Sequence, residues 1–220
     1  PAYKIASLES LHYPLINDVI KANKPIIIST GTLNLREIHE MNNFFLKKNF
    51  SKFAMLHCLT QYPAKISNCN LNTIKYMKKE FNSQIGFSDH TQGSLASIIA
   101  VSKGAKVIEK HFTLNKNMKG PDHKASMNYL EFKSFVNKIR ITEKILGNYN
   151  KICQKEELEM KFVSTKSIAV KKDINKNEKL SLKNIKLLRP NIGIKSNYIK
   201  KILGSKLKRN KKKDEHLFLN

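Results

Sequence analysis

No apolar run in this chain approaches the length of a membrane span, so a helical membrane anchor is excluded within these residues. Cysteine is scarce. Cys58, Cys69 and Cys153 show no CxxC spacing, which argues against a disulfide framework and for a reducing cytosol. A dinucleotide-type GxGxxG is missing too, and Gly31, Gly86, Gly93 and Gly104 read as turn glycines. Acidic residues are few: 17 Asp and Glu face 41 Lys and Arg, for a formal charge of +24. One reading is an anionic partner, either nucleic acid or phosphorylated small molecules. Lysines are spread along the whole chain, however, and Arg, the better reader of bases and phosphates, is rare. That favours a Lys-biased composition on solvated faces. The basic run Lys206–Lys213 (KLKRNKKK) has no interleaved aromatics for base stacking and reads as a solvated β-hairpin. Neither nucleic acid nor a membrane is expected as a partner, and the expected location is cytoplasmic.

A hydrophobic share of 40% over 220 residues leaves room for one mid-sized domain and a small one. The opening PAYKIASLES has no initiator Met and no basic leader, and it starts in mid-strand, so the sequence predicts a fragment or a processed or split product.

From there a strand–helix alternation repeats every 20–30 residues or so. Strands are expected at Tyr3–Ser7, Pro25–Ser29, Phe53–His57, Gln84–Phe87 and Ala105–His111. Helices are expected at His12–Ala22, Leu35–Lys48 (N-cap Asn34), Leu71–Phe81, Ser94–Lys103 and Leu130–Leu146, the last stopped by Gly147. Leu95, Ile98 and Ile99 are the expected buried face of the fourth helix, and Ile145 is expected to point inward from the fifth. Such a series is a TIM barrel or a doubly wound sheet. Residues 148–164 read as a polar linker with one helical turn. Beyond Thr165 short strands and turn signals predict a small, mostly β domain over residues 165–220, with a helix at Asn197–Leu203 and a closing strand pair.

The chemistry concentrates between Ile85 and Ser126. Two predicted parallel strands end in Ser88-Asp89-His90 and Glu109-Lys110-His111, joined by one helix. Polar strand ends in a parallel α/β fold emerge where ligands bind. His90 and His111 are then candidates to share a divalent ion, with water, Asp or Glu completing the shell. Asp89, Glu109 and Asp122 lie near in sequence, and His57 is a further strand-end imidazole. Lys4, Ser7, Ser29 and Ser88 form a set suited to an anionic substrate, since hydroxyls donate to phosphate or carboxylate oxygens and Lys adds charge. Gly120-Pro121-Asp122-His123-Lys124 is a polar turn placed to close over a site. Taken singly, each of these residues is more often a turn or capping group.

KIAS with Glu9, PIIISTG, LHC…YP, GFSDHT, VIEKHFTL and GPDHKAS together resemble the N-acetylneuraminate (sialic acid) synthase family. The segment NEKLSLKNIKLLRPNIGI resembles that family's C-terminal SAF, or antifreeze-like, domain. The resemblance implies a (β/α)8 barrel of which residues 1–147 hold about the last five βα units, with roughly 100 residues bearing the first three strands expected upstream. It implies condensation of phosphoenolpyruvate with an N-acetylhexosamine, usually N-acetylmannosamine, by attack of the phosphoenolpyruvate methylene on the sugar aldehyde. Water then adds at C2 and phosphate leaves by C–O cleavage. It implies His90 and His111 as ligands of Mn²⁺, or of Mg²⁺ or another divalent cation. Lys4, Ser7, Ser29 and Ser88 become phosphoenolpyruvate contacts, Thr60 a polar substrate contact, and Glu9 and Asp122 acidic catalytic positions. Arg189 becomes the residue that one subunit extends to its partner's sugar site in a domain-swapped homodimer. Legionaminic and pseudaminic acid synthases are the neighbouring branches, and His123-Lys124 favours the sialic and legionaminic ones. Lacking the early strands, this chain is expected to show little turnover alone. A non-catalytic remnant that serves only as a binding module is the competing reading.

Overall fold

The computed structural model describes residues 1–218, and the end of the expected C-terminal domain, Leu219 and Asn220, lies outside them. The chain divides into two compact units, Pro1–Asn148 and a second from Tyr149 onward.

The first unit is a five-stranded parallel sheet: β1 (Tyr3–Ile5), β2 (Ile26–Ser29), β3 (Phe53–Cys58), β4 (Gln84–Asp89) and β5 (Ile108–Lys110). The strands lie in sequence order, each pairing parallel with the next. Between them run α1 (Tyr13–Lys21), α2 (Leu35–Lys47), α3 (Asn72–Glu80) and α4 (Leu95–Ser102), and α5 (Tyr129–Leu146) follows β5. A doubly wound sheet reverses its strand order at a switch point, whereas here the order never reverses. The sheet is also curled. In a flat sheet β1 and β5 stand about 19 Å apart, beyond the joint reach of two side chains. Yet Lys4 Nζ on β1 lies 3.7 Å from Glu109 Oε1 on β5. The unit is therefore five βα units of a TIM-type barrel, bent around a polar interior.

The strands read as apolar runs because helices cover their outer faces. Ile28, Met41, Phe45, Ile74, Met77 and Phe87 are fully buried in one cluster. Two helices start on complete capping boxes, Asn34 with Glu37 and Asn128 with Glu131. Gly147 follows α5 at φ 53°, a conformation open to glycine. Gly86 is needed for close approach, since a Cβ there would sit 2.3 Å from the Val107 carbonyl oxygen.

Two expectations about helix faces are corrected. α4 buries Ala96, Ser97, Ala100 and Val101, while Leu95 and Ile99 are exposed. The small side chains let the helix sit close enough for Ser97 Oγ to reach Asp89 on β4. Ile145 is 78% exposed because the burial of α5 centres on Phe135.

The second unit begins with more helix than a linker implies, a 3-10 turn at Lys155–Glu157 running into α6 (Leu158–Ser164). β6 (Ser167–Val170) and β7 (Ile185–Leu188) pair antiparallel, and α7 (Ile199–Ile202) follows a 3-10 turn. In place of the expected closing strand pair there are isolated bridges, Ile174 to Lys211, Lys179 to Lys206 and Ala169 to His216. Ile168, Val170, Ile174, Ile185 and Leu217 form its small core.

Candidate active site

Side chains alternate along a strand, so residues 88 and 90 share one face of β4 and its extension, as 109 and 111 do on β5. Ser88 is the register partner of Glu109, and Asp89 of Lys110. The two imidazoles therefore leave adjacent strand ends on the same side. Their ring centroids are 5.2 Å apart with planes at 84°. His90 Nδ1 meets the Leu59 carbonyl oxygen at 2.7 Å, which makes Nδ1–H the donor and leaves Nε2 as a ligating lone pair. The His111 ring makes no hydrogen bond among the described residues. Tyr62 lies over both, 4.1 Å from the His90 centroid and 5.5 Å from that of His111. Burial raises the Tyr62 phenol above its ordinary pKa, helped by the negative charge of Cys58, Asp122 and Glu109. A cleft of about 240 Å³ opens here, lined by Tyr62, His90, Thr91, His111, Asp122 and Lys124 among others.

Deeper in the curl, Ser88 Oγ donates to Glu109 Oε1 at 2.6 Å, and the same oxygen faces the Lys4 ammonium. At the end of β2 the buried Ser29 Oγ has no hydrogen-bond partner among the described residues, although the Ser29 carbonyl accepts from Ser10 Oγ at 2.5 Å. Ser7 Oγ accepts from Gly31 N–H at 3.1 Å. A Cβ on Gly31 would fall 2.5 Å from Thr60 Oγ1 and 2.9 Å from Ser7 Oγ, so Ser7, Gly31 and Thr60 form one tight cradle.

The structure thus gathers Lys4 with Ser88, Ser7 with Thr60, and His90 and His111 with Asp122. Glu9 stands apart from these contacts, its exposed carboxylate 2.8 Å from His12 Nδ1. His57 is not a third ligand. Its Nε2 donates to the Cys69 carbonyl at 2.8 Å, the ring stacks on Phe87, and burial pushes its pKa down. Asp89 and Glu109 are likewise spent on other partners, Asp89 being buried in an ion pair with Lys110. Burial pulls the Lys110 pKa down, against the Asp89 charge that holds it up. The turn carrying Asp122 is fixed by Ser126 Oγ donating to the Asp122 carbonyl (2.7 Å) and by Thr113 Oγ1 with His123 Nδ1 (2.8 Å). His123 is therefore held by Thr113, while Lys124 lines the cleft. Arg189 is exposed in the second unit and makes no hydrogen bond or ion pair among the described residues.

Sequence reasoning missed Tyr62 as a site residue, along with the Glu109 link between Lys4 and Ser88. The period-2 pairing of 88 with 90 and 109 with 111 carried the second signal; nothing local marked the first.

The NeuB family pattern matches residues 1–151 and the SAF domain pattern residues 165–219. The chain belongs to the NeuB family. Among its relatives, an uncharacterised protein of Methanocaldococcus jannaschii is 44% identical over 99% of this chain and 65% of its own length. The N,N′-diacetyllegionaminic acid synthase of Campylobacter jejuni is 41% identical, covering 97% of this chain and 64% of the relative. A crystal structure of the N-acetylneuraminic acid synthetase of Leptospira borgpetersenii, in complex with citrate, superposes with a TM-score of 0.68 at 32% identity. That match covers 72% of this chain and 55% of the other. The NeuB-family chain described here thus spans less than two thirds of the length of these curated relatives.

Proposed function

We propose that this chain contributes the metal and substrate groups of an enzyme that condenses phosphoenolpyruvate with an N-acetylhexosamine, N-acetylmannosamine first among them, to a sialic-type acid with release of phosphate. The observation that carries the reading is the pair of imidazoles 5.2 Å apart at adjacent parallel strand ends, in a chain of the NeuB family.

The donor set suits a divalent cation. His90 has its Nδ1 committed and its Nε2 available, and His111 has no competing bond among the described residues. Asp122 lines the same cleft. Among the described residues no three His, Cys, Asp or Glu side chains are grouped so as to hold a metal ion, so the ion would rest on the two imidazoles, with water and substrate as its further ligands. Two nitrogens with oxygen ligands fit Mn²⁺ or Mg²⁺, and the chemistry such an ion supplies is Lewis-acid polarisation of the sugar carbonyl.

The protein's own groups do the rest. Lys4 supplies positive charge for the anionic substrate from inside the curl, and Ser88 and Ser7 offer hydroxyls beside it. The orphaned Ser29 hydroxyl supports an anion subsite, because a buried donor without a partner costs about 1–3 kcal/mol unless a ligand satisfies it. Thr60 adds a polar contact from the cradle around Gly31. Asp122 and Glu9 are the acidic groups for the sugar hydroxyls and for water, and Tyr62 excludes solvent from the imidazole pair. Arg189, exposed and unpaired among the described residues, serves the sugar site of a partner subunit in a domain-swapped homodimer. The enzyme works in the cytoplasm.

Phosphate release tests this. The protein is incubated with phosphoenolpyruvate, Mn²⁺ and N-acetylmannosamine, alone and with a polypeptide supplying the three remaining βα units of the barrel. Release only in the second case, abolished by chelator, is the expected result. Release with a diacetamido hexose in its place would assign the legionaminic or pseudaminic branch. No release with any N-acetylhexosamine in either case overturns the enzyme and leaves a binding module.

A further inference from the structure

Asp89 and Lys110 meet at 3.0 Å with side chains 0% and 2% exposed. They are register partners on β4 and β5, and each stands one residue before an imidazole of the proposed metal pair. Strand alternation turns them to the face opposite His90 and His111, against α4. There Asp89 Oδ2 accepts from Ser97 Oγ at 2.5 Å, and Oδ1 accepts from the Thr91 N–H and hydroxyl at 2.8 and 2.7 Å. Lys110 Nζ also donates to the Thr91 carbonyl. The pair therefore grips the backbone on both sides of His90 and ties it to the residue preceding His111.

Such burial is a poor way to gain stability. Desolvating two charges commonly cancels their attraction, and apolar replacements of equal volume are often neutral or stabilising. What an apolar pair lacks is direction. Each bond here fixes the angle at which one strand end leaves the sheet relative to the other.

We infer that the Asp89–Lys110 pair is a positioning device that sets the spacing and mutual tilt of His90 and His111 for a shared divalent cation. What the imidazoles hold rests on the function proposed above; their spacing does not.

The test uses the full chain and the double variant Asp89→Asn/Lys110→Met. Asn keeps an acceptor for Thr91 and an amide for Ser97, and Met keeps the apolar stem of Lys, so both charges vanish with little change in volume. Two readouts are made: the nuclear Overhauser contact between the two imidazole rings in metal-free protein, and Mn²⁺ affinity by calorimetry. The expected result is an unchanged or raised melting midpoint, loss of the ring-to-ring contact, and Mn²⁺ affinity lower by about 10- to 100-fold. A double variant with a native ring contact and affinity within twofold of the parent overturns the inference, for the pair is then only structural. Should the parent show the contact and the variant lose it while neither binds Mn²⁺, the positioning role stands and the metal reading falls. Ser97→Ala removes one anchor and no charge, so it covers the case of a misfolded double variant. It is expected to weaken the ring contact and to lower Mn²⁺ affinity by roughly threefold or more; no change in either sinks the inference.

Discussion

The two units solve the same problem of burying a core with different means. The first stacks helices on a parallel sheet and gathers a large contiguous core, from Ile5 on β1 to Ala105 before β5. That surplus lets it tolerate costly polar groups: the buried Asp89–Lys110 pair, the partnerless Ser29 hydroxyl and the neutral His57. The second has a two-stranded sheet, scattered bridges and a smaller core, eight buried residues among those described; there Ser167 Oγ meets His216 Nδ1 at 2.7 Å, while the buried Asn191 Oδ1 has no hydrogen-bond partner among the described residues. The lesson is that a buried ion pair, unlike a single unsatisfied polar atom, sits where the core is large enough to hold it in place.

The largest effect should come from truncating matched core positions. Ile28→Ala and Ile168→Ala each remove a fully buried side chain, at about 2–5 kcal/mol. Hydrogen exchange should show the first unit still protected around β2 to β4 in Ile28→Ala. In Ile168→Ala the second unit should lose protection throughout, because its smaller core has less to lose. Equal losses in both units would erase the contrast. Next, His90→Ala or His111→Ala should lower Mn²⁺ affinity by at least about 100-fold, with amide shifts confined to the first unit. Calorimetry alongside a two-dimensional amide spectrum checks both statements.

A pH effect follows from His57. Burial lowers its pKa from the ordinary 6.5, with the Cys69 carbonyl opposing. Below about pH 6.5 the unfolded chain takes up a proton more readily than the folded one, so stability falls as pH drops towards the lowered value. The loss should appear in denaturation of the first unit and shrink in His57→Gln.

Much of this fold was legible in the sequence because its signals are periodic and local. Continuous apolar runs such as Pro25–Ser29 marked buried strands, and Asn34 marked a helix start that the structure completes with Glu37. The strand-end rule brought His90 to His111. What could not be read was set by contacts between distant segments. α4 hid its small face because Asp89 draws Ser97 inward, which no count of Leu and Ile reveals. Glu109 looked like a metal-shell candidate from its neighbours, yet the curl of the sheet brings it to Lys4, over a hundred residues earlier. Tyr62 reaches the imidazoles from a loop without periodicity.

The smallest expected effect concerns helix starts. The side chains of Asn34 and Asn128 each accept a hydrogen bond from the backbone N–H three residues on, at 3.0 Å, and each residue donates its own backbone N–H to the Glu37 or Glu131 carboxylate in return. Removing one side of such a box leaves an orphan donor in the first turn, so Asn34→Ala and Asn128→Ala should each cost about 1 kcal/mol. In the second unit the 3-10 turn leading into α6 starts on a capping box of its own, Gln154 with Glu157, whereas Tyr198 before α7 makes no side-chain capping bond among the described residues. Tyr198→Ala should therefore leave helix-start protection at α7 nearly unchanged. Urea denaturation of the three variants, read with site-resolved exchange at α2, α5 and α7, separates the two behaviours. A loss at α7 as large as that at α2 would mean that this short helix too depends on its first residue, and that it is held by more than its packing.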